Sequence, residues 1–485
     1  MNIVDFLFES TSNINKDLVL GTKETKSFKS IFEESAKLAA YLRKELGQNE
    51  KILLLANNSS FFIIAYLGIL KSGNICIPLN PSIEQSGYEF IKEKTKSKIG
   101  FFTEIVRNRL NPSVKCITEE ILFNIINENF EILEPEPEFD SDRIAEIIFT
   151  SGSTALPKGV LLSHNNVISN TNSIIQYLGL VERDIMMVVL PFYYCYGLSL
   201  LHTHIRVGGS LVLNNNFIFI GSTINDLNRY CCTGFAGVPS HFQILLRKSA
   251  LFKNTKFPSL RYVTQAGGKL HNVFIIEFIE TFPEIQFFVM YGQTEATARL
   301  SYLPPSLVKE KLGSLGVGIP GVELKVVDDF GNSIVQGETG EILARGKNIM
   351  LGYFEDTDTT ANVIKNGWLY TGDLGTIDND GYIYLTARKK EIIKVGGKRV
   401  SPKEIEEVIV MMNGVIDCSA EGVDDELLGE AIKVTIVVNE IGKKITSEEI
   451  KQYCGSVLSS YKVPTQIVFK DSMEVSPSGK KLKKT

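Results

Sequence analysis

Apolar and polar positions along this 485-residue chain fall into blocks whose period switches between helix and strand. From Ser27 to Leu46 the apolar residues recur at helical spacing (Ile31, Leu38, Leu42), and Gly47 supplies a C-terminal stop. Lys51 to Leu55 is a short apolar run of strand length. Ser59 to Lys71 predicts an apolar helix and Ile75 to Leu79 the next strand. Helix then strand is repeated over Glu89 to Phe102. Strand–helix–strand units of this kind imply parallel strands in a doubly wound sheet. Glu131 to Asp142, rich in Glu and Pro, reads as an exposed connector.

The middle of the chain continues the alternation. A helix is predicted over Asn165 to Tyr177, and strands at Asp184 to Leu190, Leu260 to Gln265 and Phe287 to Met290. Pro239 and Ser240 open a helix. After the turn-rich Gly313 to Gly321, the segments Val322 to Asp328, Gly340 to Arg345 and Gly381 to Leu385 read as a small antiparallel β subdomain. From Arg388 the character changes to RKKEIIKVGGKRVSPKEIE. Ser401, Pro402 and Glu404 predict a capping box at a helix start. Thr446 and Glu449 predict another. A strand is expected at Lys433 to Val438, and the last ~95 residues have the size of a small independent α+β domain. The fold class is therefore α/β with α+β: a large N-terminal domain of doubly wound sheets with a small β subdomain, and a small C-terminal α+β domain, which the resemblance described below implies is mobile.

Composition narrows the function classes. Hydrophobic content of 44% and charge of 22% are ordinary for a globular protein. A net charge of −5 provides no general attraction to nucleic acid or to an anionic membrane, so any phosphate site must be local. The seven cysteines are scattered, without a Cys-x-x-Cys pair, which fits reduced thiols in a cytoplasm. The N-terminus lacks the features of a signal peptide. The uncharged stretch Ile185 to Leu201 is too short to span a bilayer and holds Pro191 and Gly197.

The candidate chemistry is concentrated in four places. Ile147-Ile148-Phe149 runs into Thr150-Ser151-Gly152-Ser153-Thr154, then Pro157, Lys158 and Gly159, and a second β-rich run. Small residues let backbone N–H groups turn toward a ligand, the hydroxyls add donors and Lys158 adds a cation, a combination suited to polyphosphate. Pro157 stands where the Walker loop requires Gly. Further on come Tyr291-Gly292-Gln293-Thr294-Glu295 at a strand end, Tyr370-Thr371-Gly372-Asp373, and Pro477-Ser478-Gly479-Lys480 near the C-terminus.

These four segments, in this order, resemble the signatures of the adenylate-forming (AMP-binding) superfamily, which includes acyl-CoA synthetases, peptide-synthetase adenylation domains and luciferases. The resemblance covers essentially the whole chain. It implies an N-terminal adenylation domain over 1–387, a hinge at 388–390 centred on Lys390, and a lid domain over 391–485. It implies ATP binding by Thr150, Ser151, Gly152, Ser153, Thr154 and Lys158. Adenine would lie against the Gly267-Gly268 turn and Tyr291. Thr294 would meet the α-phosphate, Asp373 and Arg388 the ribose, and Glu295 a Mg²⁺ ion. Lys480 would act in catalysis together with Thr294 and Glu295, with Lys481 as the alternative register. Gly396 and Gly397 would border a thiol channel for CoA or carrier-protein pantetheine. Phe192, Tyr193, Tyr196, Gly197, Val238 and His241 are candidates for the acid pocket, against a core reading for the aromatics and a helix-face reading for the histidine. Gly197 stands where amino-acid-activating relatives carry Asp, so a carboxylic acid with an uncharged acyl or aryl tail is favoured over an α-amino acid. The implied activity is ATP-dependent formation of an acyl-AMP and then of an acyl-CoA thioester. A stand-alone enzyme that loads an acyl carrier protein or an amine, and a non-catalytic nucleotide-binding protein, are the other readings.

Overall fold

Helix Ser60–Lys71 is buried on nearly every side, because it is packed between two layers and faces no solvent. Its environment shows how the chain is built. A computed structural model describes residues 1–21, 24–128, 130–150 and 157–474. Strands Lys51–Leu55, Ile75–Pro78, Ile99–Phe102 and Lys115–Ile117 are parallel, as the strand–helix–strand pattern requires. Ile144–Thr150 adds to Ile75–Pro78 in the same sense and then pairs antiparallel with Lys158–Ser163. Gly352–Tyr353 completes this seven-stranded sheet.

A second sheet has a parallel heart, with Ile185–Val188, Gly234–Gly237, Tyr262–Gln265 and Gln286–Tyr291 side by side. Here the structure goes further than the sequence pattern. The predicted β subdomain is antiparallel, but it is not separate. Ser301–Leu303 and Ser314–Gly318 connect Gln286–Tyr291 to Ile383–Arg388 and Trp368–Ile377, so both parts belong to one 14-stranded sheet. Helices His164–Leu178 and Cys195–Val207 contact each other and help fill the space between the sheets. Among the described residues no helix is long and apolar enough to cross a membrane.

The C-terminal unit has a five-stranded sheet dominated by the hairpin Val415–Asp425 and Gly429–Val438, with helices Pro402–Val410 and Ser447–Val457. The capping box at Thr446 and Glu449 forms. The one expected at Ser401 does not, because Ser401 Oγ donates to the Thr386 carbonyl at 2.6 Å, and Glu404 pairs with Lys462 instead. A tertiary partner thus displaces a local one. The two units meet at Glu407, which accepts from Asn272 N at 2.6 Å and lies 3.2 Å from His271 Nδ1 and 3.8 Å from Lys269 Nζ. Burial works against its charge, but His271, Lys269 and the Asn272 N–H together hold its pKa below the usual range. Gln243 donates to Asp417 across the same boundary at 3.0 Å.

A buried polar group lies between the two large sheets. Tyr66 donates to Glu146 Oε2 at 2.9 Å and sits 2.8 Å from His202 Nε2. Burial raises the Glu146 carboxyl to about 7 and lowers His202 to about 3. A carboxyl whose folded pKa exceeds its unfolded value of 4.5 favours the fold in acid, and that contribution is lost as pH rises through about 7. His202 acts in the opposite sense, so a difference between variants isolates the carboxyl. Glu146→Gln should match the parent in melting temperature near pH 4.5, gain on it up to about pH 7 and hold a constant advantage above. A pH series of thermal melts checks this, and a pH-independent difference would contradict it. Glu407→Gln should loosen the boundary and speed tryptic cleavage at Lys389 and Lys390 by about tenfold, the size of a lost charge-assisted hydrogen bond. Limited proteolysis measures that rate.

Candidate functional site

The strands of the second sheet deliver their carboxyl ends to one side, where an open α/β sheet binds ligands. Gln286–Tyr291 ends in Gly292 and the short turn Thr294–Ala296. Gly292 is required by space: a Cβ there would lie 2.0 Å from the Ala298 carbonyl oxygen. This fold-back presents Thr294 and Glu295 at the rim. Asn348 holds the far limb, donating from Nδ2 to the Ala296 and Arg299 carbonyls.

Tyr291, Asp373 and Arg388 come from three strands and meet. The Tyr291 hydroxyl donates to Asp373 Oδ2 at 2.7 Å, and Arg388 Nε donates to Oδ1 at 3.1 Å. Asp373 is 3% exposed, whereas the Arg388 side chain is 60% exposed. Burial raises the Asp373 carboxyl, against the pull of Arg388 and the Tyr291 hydrogen bond. Asp373 opposes Arg388 in register, and Gly372 before it has φ 73°. Each carboxylate oxygen keeps acceptor capacity for a further hydroxyl.

Glu295 Oε1 accepts from the Tyr353 hydroxyl at 2.8 Å. Lys158 Nζ sits 3.5 Å from Asp356, 3.1 Å from Thr359 Oγ1 and 5.3 Å from the Tyr353 ring centre. The hydrogen bonds from Thr359 and the charge of Lys158 hold Asp356 below the ordinary carboxylate range. Tyr353, Asp356 and Asn348 were not picked out in the sequence. The available signal was Asp356 as the cap of helix Thr357–Val363, with its side chain accepting from Thr359 N. Thr150 pairs with Lys158 across the hairpin. Ser151, Gly152, Ser153, Thr154 and Lys480 lie outside the described residues.

On the acid side, Cys195 Sγ is 3.7 Å from Thr294 Oγ1, so the first turn of helix Cys195–Val207 touches the rim. Phe192 is fully buried with its ring 5.6 Å from Phe62, and Tyr193 stands 4.8 Å from Tyr194. The Tyr196 hydroxyl is 2.8 Å from Thr264 Oγ1. At Gly197 a Cβ would lie 2.0 Å from the Pro191 carbonyl oxygen, so no carboxylate side chain fits there. Val238 is the N-cap of helix Pro239–Lys248; its N–H donates to His241 Nδ1, and the His241 ring lies 4.2 Å from that of Phe217. Burial lowers His241 to about 4. Gly267 has φ 84°, and the Gly268 carbonyl accepts from Gln265. Gly396 and Gly397, with φ 56° and 77°, form the turn between Ile393–Val395 and Lys398–Val400, with the Gly396 N–H donating to the Leu428 carbonyl. Lys390 sits exposed in the short turn Lys389–Glu391.

Among the described residues no cluster of three or more His, Cys, Asp or Glu side chains is arranged to hold a metal. One carboxylate at the rim fits an ion that takes its remaining ligands from phosphates and water, as Mg²⁺ does.

Comparison with known proteins agrees with this geometry. Residues 9–354 match the AMP-binding enzyme family and residues 404–480 the AMP-binding enzyme C-terminal domain. A long-chain-fatty-acid–CoA ligase of Yersinia pestis is 30% identical, with 95% of this chain and 89% of the relative covered. The 4-coumarate–CoA ligase 2 of Nicotiana tabacum is 29% identical, with 99% and 92% covered. The o-succinylbenzoate CoA synthetase of Bacillus subtilis, solved with its acyl-adenylate intermediate, superimposes with a TM-score of 0.87 at 26% identity, covering 99% of this chain and 96% of that one. With both its large and its small unit matched, the chain belongs to the AMP-binding, adenylate-forming enzyme family.

Proposed function

We propose that the chain activates a carboxylic acid with ATP, forming an acyl-AMP and releasing pyrophosphate, and then transfers the acyl group to the thiol of CoA. The observation that carries this reading is the cluster of Tyr291, Asp373 and Arg388 beside Thr294 and Glu295 at the carboxyl ends of one sheet. It would supply a ribose acceptor, a hydroxyl for phosphate and a carboxylate for a metal ion from one strand end and its neighbours. Names of the relatives support the acceptor, since they are CoA ligases.

A carboxylate is a poor acylating agent because its carbonyl is electron-rich and oxide is a poor leaving group. Attack on the α-phosphorus converts it to a mixed anhydride whose leaving group is AMP. The protein's part is positioning and charge neutralisation. Thr150 to Lys158 would hold the β- and γ-phosphates, and Lys158 would exchange its present partner Asp356 for them. Thr294 would donate to the α-phosphate, and Asp373 with Arg388 would fix the ribose. Gly267 and Gly268 would border adenine. Glu295 would hold Mg²⁺, which neutralises phosphate charge when bound. Lys480 would donate to the developing charge between carboxylate and phosphate. In the second step the unit over 391–485 would swing about 388–390, and Gly396 and Gly397 would border the thiol path. An acyl carrier protein or an amine is the alternative acceptor. We assign the chain to the cytoplasm on its composition.

The test is ATP-dependent product formation over a panel of short, medium, long, aryl and amino acids, each with and without CoA, read by mass spectrometry. Acyl-CoA is the expected product. Acyl-AMP that accumulates in the presence of CoA would move the acceptor to a carrier protein or an amine, and no AMP with any acid would overturn the proposal. Lys480→Ala should slow adenylation by about 10²–10³-fold, as loss of one charge-stabilising group does, and leave thioester formation from supplied acyl-AMP nearly intact.

A further inference from the structure

Most buried charges among the described residues have an ion partner, and the buried carboxyls of Glu146 and Asp417 have hydrogen-bond donors in Tyr66 and Gln243. Lys71 has Asp5 at 2.6 Å, Asp184 has Arg261 at 2.9 Å, Glu406 has Lys403 at 2.7 Å, and Asp373 has Arg388. Arg299 is 2% exposed, and none of the ion pairs among the described residues includes it. Every Asp and Glu of the chain lies within those residues. Its Nε points at the Met290 sulfur at 3.3 Å, and its Nη1 donates to the Ala298 carbonyl at 3.2 Å. A thioether is a weak acceptor. The guanidinium carbon stands 3.9 Å from the centre of the Tyr196 ring. The guanidinium also hydrogen-bonds the buried Tyr177 hydroxyl, so its donors meet a thioether, a carbonyl and a neutral hydroxyl but no carboxylate. Nearby, the Tyr262 hydroxyl is buried without a partner, in surroundings it shares with Tyr177 and Tyr196.

The position of Arg299 gives this a direction. Thr294 and Arg299 lie on one short stretch after strand Gln286–Tyr291, and the first turn of helix Cys195–Val207 touches both: Cys195 meets Thr294, and Tyr196 stacks on Arg299. The Arg299 guanidinium therefore lies against Tyr196, one of the acid-pocket candidates, on the segment that carries Thr294. An unpaired buried cation is costly unless something neutralises it. No protein carboxylate does so, and Gly197 has no room for one.

We propose that Arg299 determines specificity by pairing with a second carboxylate on the substrate, so that the preferred acid is a dicarboxylic acid activated at one end. This rests on the acid-activating reading above and replaces the uncharged tail inferred from the sequence. A guanidinium matches a carboxylate through two parallel hydrogen bonds, and the pair brings the missing counter-charge.

The experiment compares pyrophosphate release with matched acids: succinate against butyrate, glutarate against pentanoate, adipate against hexanoate. It uses the full-length parent, Arg299→Met and Arg299→Lys. The parent should favour one diacid over its monoacid in kcat/KM by about tenfold to a hundredfold, the range of one charge-assisted pair. Arg299→Met should abolish or invert that preference while keeping monoacid turnover, and Arg299→Lys should fall between. If Arg299→Met does not fold, the selectivity of the parent and of Arg299→Lys decides. A parent that prefers monoacids, or variants that lose both classes in proportion, would overturn the assignment and leave acid activation standing. Absence of turnover with every acid, together with no calorimetric binding of any diacid, would overturn both.

Discussion

A single buried carboxylate ties the candidate site together. Asp373 sits on a strand of the antiparallel extension, Tyr291 on the last parallel strand, and Arg388 at the start of the link to the small unit. Burying that charge without partners would be costly by several kcal/mol. The three elements are therefore constrained to bring a hydroxyl and a guanidinium to it. The same constraint explains why the β extension is hydrogen-bonded into the parallel sheet and is not a loosely attached domain. If Ser301–Leu303 and Ser314–Gly318 did not bridge the two parts, Tyr291 and Asp373 would have no fixed spacing.

Backbone crowding does similar work at two glycines. At Gly292 the chain folds back so closely on Ala298 that no side chain fits, and this fold-back carries Thr294 and Glu295 to the rim. At Gly197 the helix turn closes against Pro191. These are steric requirements of the site's backbone, independent of whatever ligand approaches it.

Much of this was legible in the sequence for a definite reason. Tyr291 to Glu295 puts an aromatic, a hydroxyl and a carboxylate into one short segment, and Tyr370 to Asp373 is readable beside it because the four segments together resemble one family's signatures. Strand and helix identities followed from period and caps: Gly47 does end the first long helix with φ 76°, and helix Pro239–Lys248 does begin at its proline. What was not legible are pairs that the fold brings together from far apart. Ser401 looked like a cap and bonds Thr386 instead. Tyr353 reaches Glu295 and Glu407 reaches His271 from segments with no local signal, and Asp356, legible only as a helix cap, reaches Lys158. Arg299 belongs to the same group, since its isolation is visible only when every carboxylate has been located around it.

Arg388 both contacts Asp373 and immediately precedes the turn Lys389–Glu391. In the proposed function one side chain would thus belong both to the ribose-holding cluster and to the hinge. Linkage is reciprocal: an orientation of the small unit in which Arg388 bound the ribose more tightly would raise nucleotide affinity, and the nucleotide would favour that orientation by the same factor. On the proposed function the link between the units would be a gauge of what occupies the site, and departure of the nucleotide would set it free.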